Sequence, residues 1–309
     1  MGDFSIAIHG GAGTILKKDL TPELEAAYTK GLADAVASGY EVLSKSGNAI
    51  DAVTAAVISL EDCILFNAGR GSVFTKTGGH EMDAAIMNGI SLEAGAVAGV
   101  NRVKNPILLA KAIMEKSEHV MLSGEGALEF AKQQQLQLEE EDYFFSQFRY
   151  DQWQLVKNEN SAALDHNIQL EKKFGTVGAV ACDANGNVAA ATSTGGMTNK
   201  NFNRIGDTPV IGSGTYANNQ TCAISCTGHG ELFLRAVAAY DVSCLMEYKG
   251  MSLQQAMEIV TLDKLVKIKG EGGMIGVDAH ANTAMIFNSE GMYRAMQNSK
   301  GEKQVAIYK

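Results

Sequence analysis

Four short polar motifs carry the residue types best suited to chemistry. They lie at 175–178 (GTVG), 192–196 (TSTGG), 204–207 (RIGD) and 227–231 (TGHGE). A threonine hydroxyl becomes a useful nucleophile when a base lies beside it, and the planar fork of an arginine binds a carboxylate with two hydrogen bonds. Taken singly, each motif also has an ordinary structural explanation, as a strand threonine, a surface ion pair or a helix cap.

The familiar phosphate and esterase motifs are incomplete in this chain. Residues 11–13 (GAG) begin a G-x-G-x-x-G pattern, but Leu16 stands at the last glycine position. The G-K-S/T of a P-loop and the G-x-S-x-G of an esterase are absent from the sequence. On its own, the segment 9–14 (HGGAGT) therefore predicts a structural loop rather than a binding site.

Composition excludes several classes of protein. The chain has 309 residues with 46% hydrophobic and 20% charged side chains, which is typical of a globular protein with a substantial core. A net charge of −9 argues against a nucleic-acid-binding protein. We find no basic, apolar leader and no long uncharged apolar run, so we expect a cytoplasmic protein without a membrane span. The five cysteines complete no zinc motif, and we predict reduced, mostly buried thiols.

Apolar periodicity and turn residues predict the elements that must position the four motifs. We predict strands at 4–8, 174–182, 188–194, 222–227, 274–278 and 283–287, and strands with glycine turns over 65–90. We predict helices at 21–46, from Asn48 onward, from Asn105 onward, and at 124–132, 231–248 and 252–268. Hairpins replace crossovers in the second half, so the order favours an α/β fold of the four-layer αββα type. Residues 133–173 are the most polar and predict a linker.

The motifs together resemble the plant-type L-asparaginase/isoaspartyl dipeptidase family, which belongs to the N-terminal-nucleophile hydrolases. The resemblance covers nearly the whole chain apart from the polar linker, and the order and spacing of the motifs make it specific. It implies a single αββα domain over residues 1–309. The matching segments are 8–14 (IHGGAGT), 65–75 (LFNAGRGSVFT), 92–100 (LEAGAVAGV), 174–200 (FGTVGAVACDANGNVAAATSTGGMTNK), 204–219 (RIGDTPVIGSGTYANN) and 226–231 (CTGHGE).

The resemblance implies that the chain cleaves its own backbone between Gly175 and Thr176. An α subunit of residues 1–175, ending in a polar and mobile linker at 133–175, would then pair with a β subunit of residues 176–309. The chemistry is consistent with this, because an amide nitrogen cannot take up a proton from the hydroxyl. The new α-amine, with a reference pKa of about 7.7–8.0, can.

The resemblance also implies the roles of individual residues. Thr176 is the nucleophile and Thr194 hydrogen-bonds to it. The Thr227 hydroxyl and the Gly228 N–H form the oxyanion hole. A second group of residues binds substrate or supports the site. Arg204 binds the α-carboxylate, and Asp207 and the Gly230 carbonyl bind the α-ammonium. Asn67 supports the site, and His9, Gly10 and Gly11 lie beside the nucleophile as backbone support. His229 receives no catalytic role, and Glu231 is expected to be structural, near a helix start.

Hydrolysis of L-asparagine or of β-aspartyl dipeptides follows from the resemblance, without a cofactor for catalysis. The sequence does not distinguish between these small-molecule substrates. A structural sodium ion is implied as well, held by backbone carbonyls, and the implied assembly is a dimer of αβ units. The carbonyl positions are Leu60, Glu61, Cys63, Phe66, Ala68 and Arg70, and a plain loop is the alternative there.

Four alternatives remain open at this point. A glycosylasparaginase of the same fold usually carries a signal peptide and disulfides, and neither is evident here. A threonine aspartase of the same fold is usually longer. A phosphate- or nucleotide-binding α/β protein would need a complete phosphate motif. A relative that never processes would be a binding module, against which the full set of threonines, Arg204 and Asp207 argues.

Overall fold

The computed structural model describes residues 2–157 and 173–309. In these ranges the strands are β1 (Ser5–Gly13), β2 (Met82–Asn88), β3 (Ala94–Val100), β4 (Met121–Ser123), β5 (Lys173–Phe174), β6 (Val177–Cys182), β7 (Val188–Thr194), β8 (Thr215–Ala217), β9 (Cys222–Gly228), β10 (Gly272–Asp278), β11 (Thr283–Phe287), β12 (Gly291–Asn298) and β13 (Lys303–Tyr308). They form two sheets. The first has the order β13-β12-β1-β6-β7-β2-β3-β4, with β5 beside β1, and the second has the order β11-β10-β9-β8.

Helices cover the outer face of each sheet. Their bounds are α1 (Pro22–Ser44), α2 (Ala49–Asp62), α3 (Pro106–Lys116), α4 (Gly124–Gln133), α5 (Glu141–Phe144), α6 (Gln147–Lys157), α7 (Gly230–Ala236), α8 (Ala238–Lys249), α9 (Leu253–Glu258) and α10 (Leu265–Lys267). Helices α1, α2 and α3 contact strands of the first sheet, whereas α8 and α9 contact the second. None of the helices in the described ranges combines the length and apolar character needed to cross a membrane.

Three hydrophobic cores separate the four layers. One core lies between the first sheet and its helices and includes Ile6, Leu32 and Val53. A second, made of smaller side chains such as Ala7, Val180 and Ile275, fills the space between the two sheets. The third lies between the second sheet and its helices and includes Phe233. This arrangement confirms the predicted αββα sandwich and places the ends of β6, β7 and β9 near one another.

Two predicted helix starts, with their capping residues, and one predicted hairpin are confirmed. Thr21 caps α1 by accepting a hydrogen bond from Leu24 N, and Asn48 caps α2 by accepting one from Asp51 N. Strands β6 and β7 form the predicted antiparallel hairpin. All five cysteines lie in the described ranges as free thiols, three of them buried.

Other predicted elements were wrong in extent. The predicted strand at 174–182 is divided at Gly175–Thr176, with β5 before these two residues and β6 after them. The segment 9–14 is not a loop, because β1 continues to Gly13 through a bulge between His9 and Gly11, paired with β12 on one side. Only β2 is a strand within 65–90, where a 3₁₀ turn (Gly69–Gly71) also occurs. The predicted helix at 231–248 is two helices, broken at Val237, whose φ is +48°. The helix at 252–268 is interrupted by a π-helical stretch (Ile259–Lys264).

Two helices lie within the predicted linker. α5 and α6 form because aromatic side chains in this polar stretch are buried: Phe144 packs near His80, and Trp153 stacks on Phe74. Sequence polarity alone concealed this packing. The remaining part of the linker, residues 158–172, lies outside the described residues, and the mobility of the linker stays a prediction.

Candidate active site

The β6–β7 hairpin brings two predicted site threonines together. Thr176 directly precedes β6, Thr194 ends β7, and the pairing of Val177 with Ser193 sets them side by side. The Thr176 Oγ1 donates a hydrogen bond to Thr194 Oγ1 over 3.3 Å. Thr176 is only 8% exposed, so its hydroxyl lies in a largely dry environment. The structure therefore places the predicted nucleophile and its predicted partner in direct contact.

The carbonyl of Gly175, at the predicted cleavage site, receives two hydrogen bonds. Asn67 Nδ2 donates to Gly175 O over 2.7 Å and Thr194 Oγ1 donates to the same oxygen over 2.9 Å. Asn67 is held in turn, since its Oδ1 accepts from Val73 N over 3.0 Å. Two donors on one carbonyl oxygen polarise the bond and stabilise negative charge on that oxygen.

Thr227 and Gly228 approach the same site from the second sheet, at the end of β9. Thr227 Oγ1 accepts a hydrogen bond from Ala12 N over 3.3 Å, which leaves its hydroxyl proton to donate elsewhere. A Cβ on Gly228 would collide with Glu271 O and with the Phe233 ring, so a side chain has no room there. Strand β1 therefore orients the Thr227 hydroxyl, a contact that the sequence did not predict.

One cavity brings most of these residues together with the predicted substrate-binding residues, although Thr227 and Asn67 are not among the residues that line it. Its wall is formed from the ends of both sheets and from the segment after β7. Among the residues that line it are Gly175, Thr176, Thr194, Arg204, Asp207, Gly228 and Gly230. The cavity thus brings the nucleophile within reach of one cationic and one anionic side chain.

Asp207 supplies the anionic side of this cavity. It is 4% exposed, and its Oδ2 is buried without a hydrogen-bond partner among the described residues. Burial raises the pKa of Asp207 to about 7, although the charge of Arg204 acts in the opposite direction. Gly230 packs against it, since a Cβ there would lie 2.9 Å from Asp207 Oδ1. A buried carboxyl oxygen with no donor is well suited to a ligand that brings its own, such as an ammonium group.

Glu231 holds the guanidinium group of Arg204. Its Nε and Nη2 donate to the two Glu231 carboxylate oxygens, each over 2.8 Å. Partial burial acts to raise the pKa of Glu231. The hydrogen bonds and the charge of Arg204 outweigh this effect, so the pKa of Glu231 is lowered. His229 Nε2 lies 3.3 Å from Glu231 Oε2. Glu231 thus fixes the direction of the guanidinium, a role beyond the structural one expected from its position near a helix start.

His9 was expected to support the site only through its backbone, but its side chain contacts the site directly. Its Nδ1 lies 3.0 Å from Thr176 O and its Nε2 lies 2.9 Å from Ser225 Oγ. Because a carbonyl oxygen only accepts, the proton is on Nδ1 and the Ser225 hydroxyl donates to Nε2. Burial lowers the pKa of His9 to about 3, so the ring stays neutral. The pairing of His9 with Gly178, which would have revealed the contact, is not visible in the sequence.

Gly10 and Gly11, which were predicted to support the site, lie where β1 passes close to Phe66. A Cβ on Gly10 would collide with the ring of Phe66. Gly11 lies at the β1 bulge with φ of +114°, a conformation that favours glycine. These two glycines therefore let β1 pass close to the loop that carries Asn67.

Asp83 and Lys200 are two further buried charges near the site. Asp83 lies opposite Thr194 in the β2–β7 pairing and accepts from Gly99 N over 2.8 Å. Lys200 Nζ donates to Glu81 O over 2.8 Å. Burial raises the pKa of Asp83 and lowers that of Lys200, while each charge acts against the shift of the other. Asp83 lies outside the matching segments, and Lys200 ends the segment 174–200 but was given no role from the sequence.

The six residues of the predicted sodium site lie in and after the last turn of α2. Two of the six carbonyl oxygens lie against glycines of this loop, since a Cβ on Gly69 would meet Glu61 O and one on Gly71 would collide with Phe66 O. The carbonyls of Leu60, Cys63, Phe66 and Ala68 each accept a backbone N–H, which leaves each a second lone pair. Neutral oxygen donors of this kind fit a hard cation such as sodium. The residues present are compatible with the ion, and its binding stays a prediction.

The sequence of this chain is similar to those of known asparaginases and isoaspartyl peptidases. A family model described as asparaginase matches residues 2–307. The chain is 47% identical to the isoaspartyl peptidase of Escherichia coli K12, over 100% of this chain and 97% of that protein. It is 50% identical to the isoaspartyl peptidase of Salmonella typhimurium LT2, over 98% of each. It is 42% identical to the plant-type L-asparaginase of Thermococcus kodakarensis, over 98% of this chain and 99% of that protein.

The αββα sandwich is consistent with the class of N-terminal-nucleophile hydrolases. Within it, the chain belongs to the asparaginase family. The predicted family, and the prediction of a hydrolase rather than a phosphate-binding protein, are thereby confirmed.

Proposed function

We propose that this chain is an autoproteolytically activated amidohydrolase that acts on β-aspartyl (isoaspartyl) dipeptides and L-asparagine. The observation that carries the proposal is the single cavity in which Thr176 and Thr194 lie with Arg204 and Asp207. The names of the relatives, isoaspartyl peptidase and plant-type L-asparaginase, support the substrate class.

Maturation begins with attack of Thr176 Oγ1 on the carbonyl carbon of Gly175. The charge that develops on Gly175 O is stabilised by the two donors already in place, Asn67 Nδ2 and Thr194 Oγ1. The C–N bond then breaks, the nitrogen takes a proton, and Gly175 is left as an ester on Thr176 Oγ1. Water hydrolyses this ester, giving a Gly175 carboxylate and a Thr176 with a free α-amine.

Turnover uses the new amine as the base for the same hydroxyl. Arg204 binds the substrate α-carboxylate, while Asp207 and the Gly230 carbonyl bind its α-ammonium. The side-chain amide then lies at Thr176, and the Thr227 hydroxyl and Gly228 N–H stabilise the tetrahedral oxyanion. Ammonia or an amino acid leaves with a proton, and water hydrolyses the β-aspartyl ester to L-aspartate.

The further properties that we propose rest on the family resemblance. They are a dimer of αβ units, a cytoplasmic location, an α subunit of residues 1–175 with a β subunit of residues 176–309, and a sodium ion on the six carbonyls described above. The ion would stabilise the loop that carries Asn67, and no step of catalysis passes through it. No cofactor is proposed for the reaction.

The test is a direct assay of purified, matured protein. Release of aspartate from a β-aspartyl dipeptide and of ammonia from L-asparagine is expected, together with complete loss of both in Thr176→Ala. Glycosylated asparagine serves as the third substrate, and its preferred hydrolysis would favour the glycosylasparaginase alternative. Absence of all three activities in fully cleaved protein would contradict the proposed function.

A further inference from the structure

A buried arginine in α6 lies far along the chain from every motif discussed so far. Arg149 is 7% exposed. Within the described part of the chain it donates three hydrogen bonds, all to neutral oxygens. Nε donates to Gly71 O over 3.1 Å, Nη2 to Leu65 O over 3.2 Å, and Nη1 to Gln152 Oε1 over 3.1 Å. Burial lowers the pKa of Arg149. Placing a guanidinium in the interior costs free energy, so the two backbone contacts call for an explanation.

The two carbonyls that Arg149 holds flank Asn67. Leu65 lies two residues before Asn67, and Gly71 lies four residues after it. Asn67 Nδ2 is the donor nearest to the carbonyl of the cleavage site, at 2.7 Å from Gly175 O. A planar guanidinium that donates to both arms of a loop limits how far the residue between them can move.

The Arg149 contacts are also separate from the predicted sodium site. Leu65 and Gly71 are not among the six carbonyl positions expected to hold the ion. Tyr28 Oη donates to Leu65 O over 3.4 Å, so this carbonyl is fixed from two sides. The loop between α2 and β2 therefore has a second anchor that comes from the chain segment leading toward the cleavage site.

We propose that Arg149 is a positioning residue for maturation: it holds the Asn67 loop so that the Asn67 amide donates to the Gly175 carbonyl during cleavage. The inference rests on the proposed function, since it needs the Gly175–Thr176 bond to be cut. Misplacement of a catalytic donor by about 1 Å can slow a reaction by as much as 100-fold.

The test compares cleavage rates of purified, initially uncut protein. Mass spectrometry follows the appearance of the fragment that begins at Thr176. Arg149→Met keeps the apolar stem without the donors, and we expect cleavage to slow by about 10- to 100-fold. Arg149→Lys keeps the charge but loses the fork, so an intermediate rate is expected.

Two control variants change α6 without touching the loop that carries Asn67 or the backbone contacts of Arg149. Gln147→Ala removes an exposed hydrogen bond to Asp151 within α6, and Gln152→Ala removes only the partner of Nη1. Both are expected to cleave at close to the wild-type rate. Slowing by Gln147→Ala equal to that of Arg149→Met would show that the stability of α6, not the guanidinium, matters, and would overturn the proposal.

A double variant that combines Arg149→Lys with Asn67→Ala distinguishes a positioning role of Arg149 from a merely structural one. The quantity compared is the cleavage rate of each single variant and of the double variant. If Arg149 acts through Asn67, Arg149→Lys slows wild-type cleavage but has little further effect in Asn67→Ala. Additive slowing, or wild-type rates in both Arg149 variants, would overturn the proposal. Arg149→Lys also serves if Arg149→Met does not fold. A wild-type chain that never cuts would instead contradict the proposed function.

Discussion

At the scale of single residues, much of the site was predictable because its chemistry depends on residue type. Thr176, Thr194, Arg204 and Asp207 were singled out by motif, and the structure brings them to one cavity. The side-chain contacts of His9, Glu231 and Arg149 were not predictable. They are hydrogen bonds between distant chain segments, and such pairings leave no local signal.

Asp207 gives a prediction about pH. Because burial raises its pKa to about 7, the carboxyl must lose a proton to bind an ammonium group. Affinity for L-aspartate, the proposed product, is expected to fall as pH drops below about 7. Asp207→Asn should weaken binding by on the order of 10-fold and abolish that pH dependence. Calorimetric titration from pH 5.5 to 8.5 measures both, and an unchanged pH profile in the variant would count against the assignment.

Asp207 also predicts how the free energy of unfolding changes with pH. The folded-state pKa lies above the ordinary value of 3.8, so the folded protein holds a proton that the unfolded chain releases. The contribution of Asp207 to the free energy of unfolding is constant below about pH 4. It decreases as the pH rises from 4 to 7 and is constant above pH 7. Asp207→Asn removes this contribution, so its stability relative to wild type should increase between pH 4 and 7. Urea unfolding across this range tests the sign, and a relative decrease would contradict it.

Glu231 gives a prediction about substrate binding. It is half-exposed and holds Arg204 through both carboxylate oxygens, so Glu231→Gln keeps the shape and weakens the hold on the guanidinium. We expect KM to rise by about threefold with kcat nearly unchanged. Glu302→Gln, an acid that bonds Asn298, is the matched control. A fall in kcat with KM unchanged would place Glu231 in the chemical step instead.

At the scale of elements, local signals predicted where helices begin better than where strands begin and end. The caps at Thr21 and Asn48 are short-range features, and both are observed. Strands β12 and β13 were not predicted, and β1 was cut short at Ile8, because their stability comes from pairing with strands distant in sequence. The polar stretch around α6 was misjudged for the same reason, since Trp153 is buried against residues near 74–78.

Strand β1 gives the prediction that belongs to this scale. A methyl group at Gly10 would meet the Phe66 ring, which lies in the same loop as Asn67. Gly10→Ala is therefore expected to destabilise the protein by about 1–3 kcal/mol and to slow cleavage at Gly175–Thr176. Gly126→Ala in α4, where the methyl group meets open space, should be neutral or stabilising. Thermal unfolding and cleavage rates are measured for both variants. Equal stability and equal cleavage rates in Gly10→Ala and Gly126→Ala would contradict the packing argument.

At the scale of the whole molecule, the predicted subunits interleave in the first sheet. β1, from residues 1–175, lies between β12 and β6, both from residues 176–309, and β2 pairs with β7. Each fragment alone would expose strand edges that the other covers. The two fragments are therefore expected to remain one particle after cleavage and to separate only in denaturant. Gel filtration of fully cleaved protein tests this, and separate elution under native conditions would contradict it.

The central claim is that Thr176 becomes an amino-terminal nucleophile by cutting its own peptide bond. The most direct test is the intact mass of freshly purified protein, repeated during incubation at neutral pH beside Thr176→Ala. We predict two fragments, residues 1–175 and 176–309, the second with a free threonine amine, and a variant that stays whole. A wild-type chain that remains uncut and does not hydrolyse β-aspartyl dipeptides would contradict the mechanism.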